Sequence, residues 1–264
     1  MIITLMGGLA NTLFQYAFGI SVAQERGEQL FFTRNRVDND VKRSYGLDAF
    51  QTSIRFVPQE SETKFYDGGL FNPDVYKVAP GTTFIGYWQT EKYFNAPMIR
   101  EDIQLAKPPS EKTLRLAEEI MRTENSTFIH VRRGDYVSEK HTSDFHGNLS
   151  QGFYDRAIER IRASAHAKFF VFSDDPEWCR TAFPGFRVVD HNKPGDGKAA
   201  GAEHEDLWLM SLCRHAIIAN SAFSWWGAFL GDQQKGRMVI APKRWFQDPN
   251  QYDGDIVPDR WVKI

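Results

Sequence analysis

The 264-residue sequence has little cysteine, no long apolar run and no leader pattern at its amino terminus. Cys179 and Cys213 form no CxxC pair and have no metal-like spacing to histidine, so neither a disulfide framework nor a structural zinc site is supported. No segment approaches the ~18 apolar residues of a membrane span, and the opening MIITLMGGLAN is too short for the apolar part of a signal peptide. We therefore expect a cytoplasmic protein without a transmembrane segment.

Charge of one sign is also missing, because 32 Lys and Arg oppose 34 Asp and Glu and leave a formal net charge of −2. Such a chain has no global basic field, so we expect no nucleic-acid partner, and any anion must be bound by local groups. Neither GxGxxG nor GxxxxGK[ST] occurs. This absence disfavours classical NAD chemistry and P-loop NTP hydrolysis.

The first part of the chain has a β-loop-α-β pattern. Residues 2–6 predict a strand, Gly7 and Gly8 a turn, and the apolar spacing that follows a helix ending at Gly27. A second strand is predicted at 29–33 and a further one at 83–88, whereas 34–81 has too little periodicity to assign. The two glycines would lie at the carboxyl end of the first strand, where parallel sheets bind ligands.

A domain boundary is predicted at AKPPS, residues 106–110, because two prolines interrupt regular structure and Ser110 can cap the next helix. We expect domains at 1–107 and 108–264. Four consecutive β-α steps in the second predict a parallel, doubly wound α/β sheet. The predicted elements are a helix at 111–122 with Leu114, Ala117, Ile120 and Met121 inward, strands at 127–131, 168–172, 187–189, 215–219 and 238–241, and helices at 150–165, 203–213 and 222–230, with another helix starting at 173–176.

Three polar clusters follow predicted strands of the second domain: Arg132-Arg133-Gly134-Asp135, Ser173-Asp174-Asp175 and Ser221-Ala222-Phe223-Ser224. Because parallel strands end at one edge of their sheet, we expect these clusters to lie together. Arginine forks and the free amides of a helix start suit a diphosphate, and a carboxylate suits the amino edge of guanine. The residues therefore predict a site for a nucleoside diphosphate.

Simpler interpretations remain open for each cluster. Arg132 and Arg133 could be surface ion-pair partners, and Asp174 or Asp175 could cap the helix that begins near Pro176. The sequence has 21 Phe, 9 Tyr and 7 Trp, which could serve sugar binding. We expect most of these aromatic residues, including Trp225 and Trp226, to fill the core.

Five motifs, in order, resemble those of the α-1,2-fucosyltransferases, glycosyltransferase family 11, and the similarity extends to the closing DIVPDRWVKI. They are GGLANTLFQYAFG at 7–19, GYWQTEKYF at 86–94, HVRRGDY at 130–136, VFSDDPEWC at 171–179 and NSAFSWWGAFL at 220–230. The resemblance implies a GT-B-like fold of two facing Rossmann-type domains, GDP-β-L-fucose as donor and a galactose-terminated acceptor. It also implies inversion at the fucose carbon and no metal or other cofactor.

The resemblance also implies site roles. In the donor-binding domain, Arg132 would contact the β-phosphate with Arg133 in support, His130 and Asp174 or Asp175 would meet guanine or ribose, and Ser221, Phe223 and Ser224 would hold diphosphate and base. In the acceptor-side domain, Gly8 would border the donor, Asn11 would lie near the leaving phosphate or the acceptor hydroxyl, and Trp88, Gln89 and Glu91 would bind the acceptor. Asp135 and Glu91 are the candidates for the base, unless the leaving phosphate takes the proton.

The first motif departs from the usual GGLGNQMFQYA. Ala10 replaces a glycine and Thr12-Leu13 replace glutamine and methionine, whereas Asn11 is retained. We expect Ala10 to restrict the loop backbone and the lost glutamine to remove an amide near the cleft. These changes keep open a carbohydrate-binding or regulatory protein that retains the fold without catalysis. A nucleotide-sugar hydrolase that uses the same pocket with water is a further alternative.

Overall fold

The structure is a computed structural model that describes residues 1–40, 44–134, 144–145, 147–192 and 201–264. The chain divides into two compact units. The first holds Met1–Pro108 with later segments that include residues 201–204 and Gly254–Ile256, and the second holds most of the chain from Pro109 onward. The division between Pro108 and Pro109 falls inside the AKPPS segment.

The first unit is built on a parallel four-stranded sheet with the order β2-β1-β4-β3. Its elements are β1 Ile2–Thr4, α1 Leu9–Arg26, β2 Phe31–Thr33, α2 Asn35–Asp38, β3 Lys64–Tyr66, β4 Thr83–Ile85 and α3 Ala96–Asp102, with 3₁₀ turns at Leu47–Ala49, Pro73–Tyr76 and Glu91–Tyr93. Helix α1 ends at Gly27, whose φ of 63° is the left-handed conformation that glycine adopts without strain. The predicted strand at 83–88 ends early, because Trp88 has a φ of 55° and is not extended.

The buried side chain of Gln15 connects two strands of this unit. Its Oε1 accepts from the amide of Met6 (3.0 Å), and its Nε2 donates to the carbonyls of Met6 (3.2 Å) and Gly86 (3.0 Å). Met6 follows β1 and Gly86 follows β4. One amide therefore satisfies three backbone groups at the carboxyl ends of neighbouring strands.

We expect Gln15→Leu to lower the free energy of unfolding by about 2–5 kcal/mol, since it leaves buried backbone donors and acceptors without partners. Urea titration measures this loss. Gln24→Leu on the exposed face of the same helix is the control and should change stability by less than about 0.5 kcal/mol. Equal effects of the two substitutions would contradict a structural role for the Gln15 amide.

The second unit contains a parallel six-stranded sheet with the order β10-β9-β8-β5-β6-β7. Its elements are α4 Glu111–Arg122, β5 Ser126–Val131, α5 Gln151–Ser164, β6 Lys168–Ser173, α6 Pro176–Ala182, β7 Arg187–Val189, α7 Glu203–Leu212, β8 His215–Ile217, α8 Ala222–Leu230, β9 Val239–Ala241 and β10 Val262–Lys263. Later strands lie on both sides of the central pair β5 and β8, with β6 and β7 beside β5, and β9 and β10 beside β8. The central pair forms the topological switch point, where open α/β sheets bind their ligands.

The predicted inner face of α4 is partly wrong. Leu114 and Met121 are 41% and 61% exposed, and the buried residues are Thr113, Leu116, Ala117 and Ile120. The spacing i, i+3, i+4, i+7 is met by this second set, and Thr113 can be buried because its hydroxyl lies 2.9 Å from Nε2 of His191. Trp225 and Trp226 are fully buried, as expected.

Within the described ranges, no helix has both the length and the apolar composition needed to cross a bilayer.

Candidate active site

The three polar clusters of the second unit meet at one edge of its sheet. Strand β5 ends at Val131 and pairs there with Ser173 of β6, while Ile129 pairs with Ile217 of β8. Arg132, Asp174 and Ser221 therefore follow three adjacent strands at their carboxyl ends. Arg132 and Ser221 flank the switch point between β5 and β8.

Asp174 fixes the backbone that carries Arg132. Its Oδ1 accepts from the amide of Arg133 (2.9 Å) and its Oδ2 from the amide of Gly134 (3.1 Å), while Nη1 of Arg132 lies 3.1 Å from Oδ2. A Cβ at Gly134 would lie 2.7 Å from Oδ2, so this close approach favours glycine. The Arg132 side chain remains 23% exposed. It is thus oriented at the sheet edge and still accessible to an anion.

Arg133 and Asp175 form a second pair beside the first. Nε of Arg133 lies 3.1 Å from Oδ2 of Asp175, and the guanidinium lies 4.2 Å from the ring centroid of Trp178. Oδ1 of Asp175 accepts from the amide of Trp178 (3.1 Å) and caps α6. The capping interpretation is therefore right for Asp175, and Arg133 braces the loop through Asp175 and Trp178.

His130 is a buried imidazole near this edge, and its Nδ1 has no hydrogen-bond partner within the described part of the chain. Its ring centroid lies 5.6 Å from that of Phe223. Burial, with a smaller contribution from the Arg132 charge, lowers the pKa of His130 to about 3. The ring is therefore neutral at physiological pH, and its Nδ1, which meets no partner among the described residues, could bond a ligand or a water.

The low pKa of His130 predicts a pH-dependent stability. In the unfolded chain, histidine binds a proton near pH 6.5, whereas His130 in the folded protein does so only near pH 3. The free energy of unfolding therefore decreases as the pH falls from about 6.5 toward 3. Between pH 7.5 and pH 5.0 we expect His130 to contribute a loss of about 2 kcal/mol in the free energy of unfolding.

Urea titrations of the native protein and of His130→Asn at both pH values measure this contribution. The variant should lose about 2 kcal/mol less than the native protein on acidification. His166→Asn, at an exposed position, is the control and should behave like the native protein. A pH dependence unchanged in His130→Asn would contradict the buried neutral state.

Helix α8 starts at this edge, and its N-cap residue provides no side-chain cap. The hydroxyl of its N-cap residue Ser221 bonds none of the first-turn amides, and no acidic residue lies in the first turn. These amides and the helix dipole suit a phosphate. Ser224 is fully buried, and its hydroxyl donates toward the carbonyls of Ala219 and Ser221 (both 3.1 Å). The expected contact of this hydroxyl with the nucleotide is therefore not supported.

Asn220 is a residue whose role the sequence reasoning missed. Its buried Nδ2 donates to the carbonyls of Gly147 (3.3 Å) and Trp245 (3.1 Å) and thereby ties two loops to the start of α8. The available signal was its position directly before the Ser221 cluster, at the end of a predicted strand.

In the first unit, Asn11 and Gln89 are brought together. Nε2 of Gln89 donates to Oδ1 of Asn11 (2.9 Å), close to Gly8, which is the N-cap of α1. Ala10 lies in the first turn of α1, in a helical position that alanine fits, so the expected restriction of a loop is wrong. The buried Thr12 hydroxyl donates to the carbonyl of Leu9 (2.9 Å).

The acceptor contact expected of the Trp88 ring is also not supported. The ring is 1% exposed and stacks on Phe18 with a centroid distance of 4.1 Å, so it belongs to the core. Glu91 is partly exposed at the start of a 3₁₀ turn. Asp135, the other candidate base, lies outside the described residues.

Comparisons with known proteins agree with this architecture. A sequence model of Glycosyl transferase family 11 matches residues 74–264. An Escherichia coli alpha-1,2-colitosyltransferase is 31% identical over 98% of this chain and 97% of its own length. A galactoside 2-alpha-L-fucosyltransferase from Caenorhabditis elegans is 30% identical over 67% of this chain and 51% of its own length. The solved structure of the fucosyltransferase NodZ from Bradyrhizobium has a TM-score of 0.56 at 16% identity, covering 87% of this chain and 92% of NodZ.

The two parallel α/β units and the likeness to NodZ define a GT-B-like fold, as the sequence predicted. The family model and the relative that covers nearly the whole chain identify the class of this protein as a glycosyltransferase. This chain belongs to glycosyl transferase family 11.

Proposed function

We propose that this glycosyltransferase moves L-fucose from GDP-β-L-fucose to the 2-hydroxyl of a terminal galactose, with inversion and without a metal. The names of two relatives, an alpha-1,2-colitosyltransferase and a galactoside 2-alpha-L-fucosyltransferase, support a 2-linked transfer of a deoxy sugar. The observation that carries the proposal is the Arg132 guanidinium, which Asp174 holds at the switch point, on the strand end next to the one that leads into α8.

The chemistry requires positive charge at this edge. When the bond from the sugar to GDP breaks, the β-phosphate gains negative charge while the sugar carbon becomes positive. A fixed donor aimed at the developing charge is worth about 3 kcal/mol in the transition state. Arg132 and the first-turn amides of α8 would supply this stabilisation, so no metal is needed for it.

The remaining roles follow from the same proposal. His130 and Phe223 would contact the nucleoside, because Nδ1 of the imidazole has no partner among the residues that the structure describes and the Phe223 ring lies beside it. Asn11 and Gln89 would serve the acceptor hydroxyl. Asp135 or Glu91 would take the proton of that hydroxyl, unless the leaving phosphate does so.

A second candidate donor carries colitose, since a relative that covers nearly the whole chain is named for this sugar. Colitose is L-fucose without its 3-hydroxyl. A site that hydrogen-bonds this hydroxyl rejects the sugar lacking it, whereas a site that excludes the hydroxyl rejects fucose. Comparing kcat/KM for GDP-fucose and GDP-colitose therefore decides between the two donors.

Measuring GDP release from GDP-fucose with and without lactose tests the proposal. We expect release that depends on the acceptor and a product whose anomeric NMR signal is that of an α-fucoside. Equal release in both samples would indicate a hydrolase. Binding of GDP-fucose without release from either donor would indicate a carbohydrate-binding protein.

A further inference from the structure

The turn that follows β4 is strained and leads into the proposed acceptor residues. Trp88 has a φ of 55° and, among the described residues, is the only non-glycine in the left-handed region. A bulky residue there costs on the order of 1–3 kcal/mol and persists only where its surroundings enforce it. The amide of Thr90 closes the turn by donating to the carbonyl of Trp88 (2.8 Å).

Asp67 is the side chain that enforces this turn. Its Oδ2 accepts from the amides of Trp88 (2.8 Å) and Tyr87 (3.1 Å), and its Oδ1 accepts from the amide of Gly69 (2.9 Å). A Cβ at Gly86 would lie 2.0 Å from Cβ of Asp67, so the two backbones approach at a distance that only glycine permits.

The turn sends consecutive side chains in different directions. The Trp88 ring enters the core, Tyr87 remains 43% exposed, and the amide of Gln89 reaches Oδ1 of Asn11. An extended strand would alternate these side chains across the sheet. Gln89 directly follows Trp88, so the backbone geometry that Asp67 holds at Trp88 sets the direction in which the Gln89 side chain leaves the turn toward Asn11.

We infer that Asp67 is a positioning residue, which places Gln89 against Asn11 on the acceptor side of the proposed transfer site. This inference rests on the proposed function. The contacts of Asp67 are with backbone amides of the turn, and the proposal gives it no contact with a reacting group. Its effect on turnover passes through Gln89, and this separates it from a side chain that only stabilises the fold.

A double-mutant cycle tests the inference, with Asp67→Ala, Gln89→Ala and the double variant compared by acceptor-dependent GDP release. Each single substitution should lower kcat/KM for the acceptor on the order of 10- to 100-fold, since small misplacements near reacting groups have effects of this size. The double variant should be within about 2-fold of the weaker single variant, because both changes remove the same placement. The KM for GDP-fucose should stay unchanged.

Asp74→Ala, an exposed position in the same unit, is the matched control and should leave all parameters unchanged. If Asp67→Ala does not fold, Asp67→Asn takes its place in the cycle, because it keeps one acceptor oxygen. The inference would be overturned, with the proposed function left intact, by any of three results. These are a loss in the double variant equal to the product of the two single losses, native activity in the Asp67 variant, or equal changes in KM for the acceptor and for GDP-fucose. A native protein without acceptor-dependent release would overturn the proposed function as well.

Discussion

We expect Arg132→Ala to abolish the proposed transfer while leaving the protein folded. We expect turnover to fall on the order of 1,000-fold, the upper range for removal of one preorganised donor, because the guanidinium also carries a full charge. Folding should survive, since Asp174 keeps its two backbone amide donors and the partly exposed ion pair contributes little stability. Steady-state kinetics and circular dichroism of the same preparation measure both effects.

Two further variants separate charge from general damage. Arg132→Lys keeps the positive charge but loses the planar fork, so its turnover should lie between those of the native protein and the alanine variant. Arg122→Ala removes an exposed arginine of α4 that pairs with Glu118, and it should leave turnover unchanged. Near-native turnover in Arg132→Ala would show that another group neutralises the leaving phosphate.

The sheet edge of the second unit could be predicted because local sequence specifies it. Buried strands followed by polar residues recur there, and parallel strands end at a shared edge. Helices α4 and α8 and strand β7 have the predicted bounds, since each has a strong local start or end signal such as Ser110 before α4. The order of the strands, the short edge strand β10 and the buried face of α4 required the structure.

Contacts between distant residues could not be predicted. Asp67 and Trp88 are 21 positions apart, and neither a positive φ at a tryptophan nor its burial follows from local propensity. The same holds for Asp174, whose carboxylate could bind a ligand or the loop after β5, and only the fold brings Gly134 within its reach. The sequence therefore predicts which strand ends carry the site, whereas the structure shows which side chains hold the loops after those strands in place.

These braces have a common form in the two units. In each unit, a carboxylate that follows one strand accepts hydrogen bonds from backbone amides of the segment that follows the neighbouring strand. Asp67 follows β3 and accepts from the chain after β4. Asp174 follows β6 and accepts from the chain after β5. A side-chain carboxylate fixes such a loop without extending the sheet. In the proposed reaction, loops held in this way would keep Gln89 and Arg132 in place before a substrate binds, which would lower the entropic cost of reaching the transition state.

Asp174→Asn distinguishes bracing of Arg132 from recognition of guanine. We expect turnover to fall on the order of 10- to 100-fold. The asparagine side chain places an NH2 group against backbone amides that also donate, and it has no charge to orient Arg132. The preference for GDP over IDP should stay unchanged. IDP lacks the 2-amino group of guanine, which donates a hydrogen bond to a guanine-binding carboxylate. If Asp174 instead recognises guanine, the variant should lose its preference for GDP over IDP.

Inhibition constants of GDP and IDP, measured for the native protein and the variant, provide this comparison. Asp155→Asn, an exposed residue of α5, is the control for the loss of one carboxylate charge and should alter neither turnover nor the ratio of the two constants. If the ratio collapses in Asp174→Asn while turnover is kept, Asp174 reads the base and Arg132 needs no brace. If turnover falls and the ratio holds, the carboxylate acts on the nucleotide only through the guanidinium it orients.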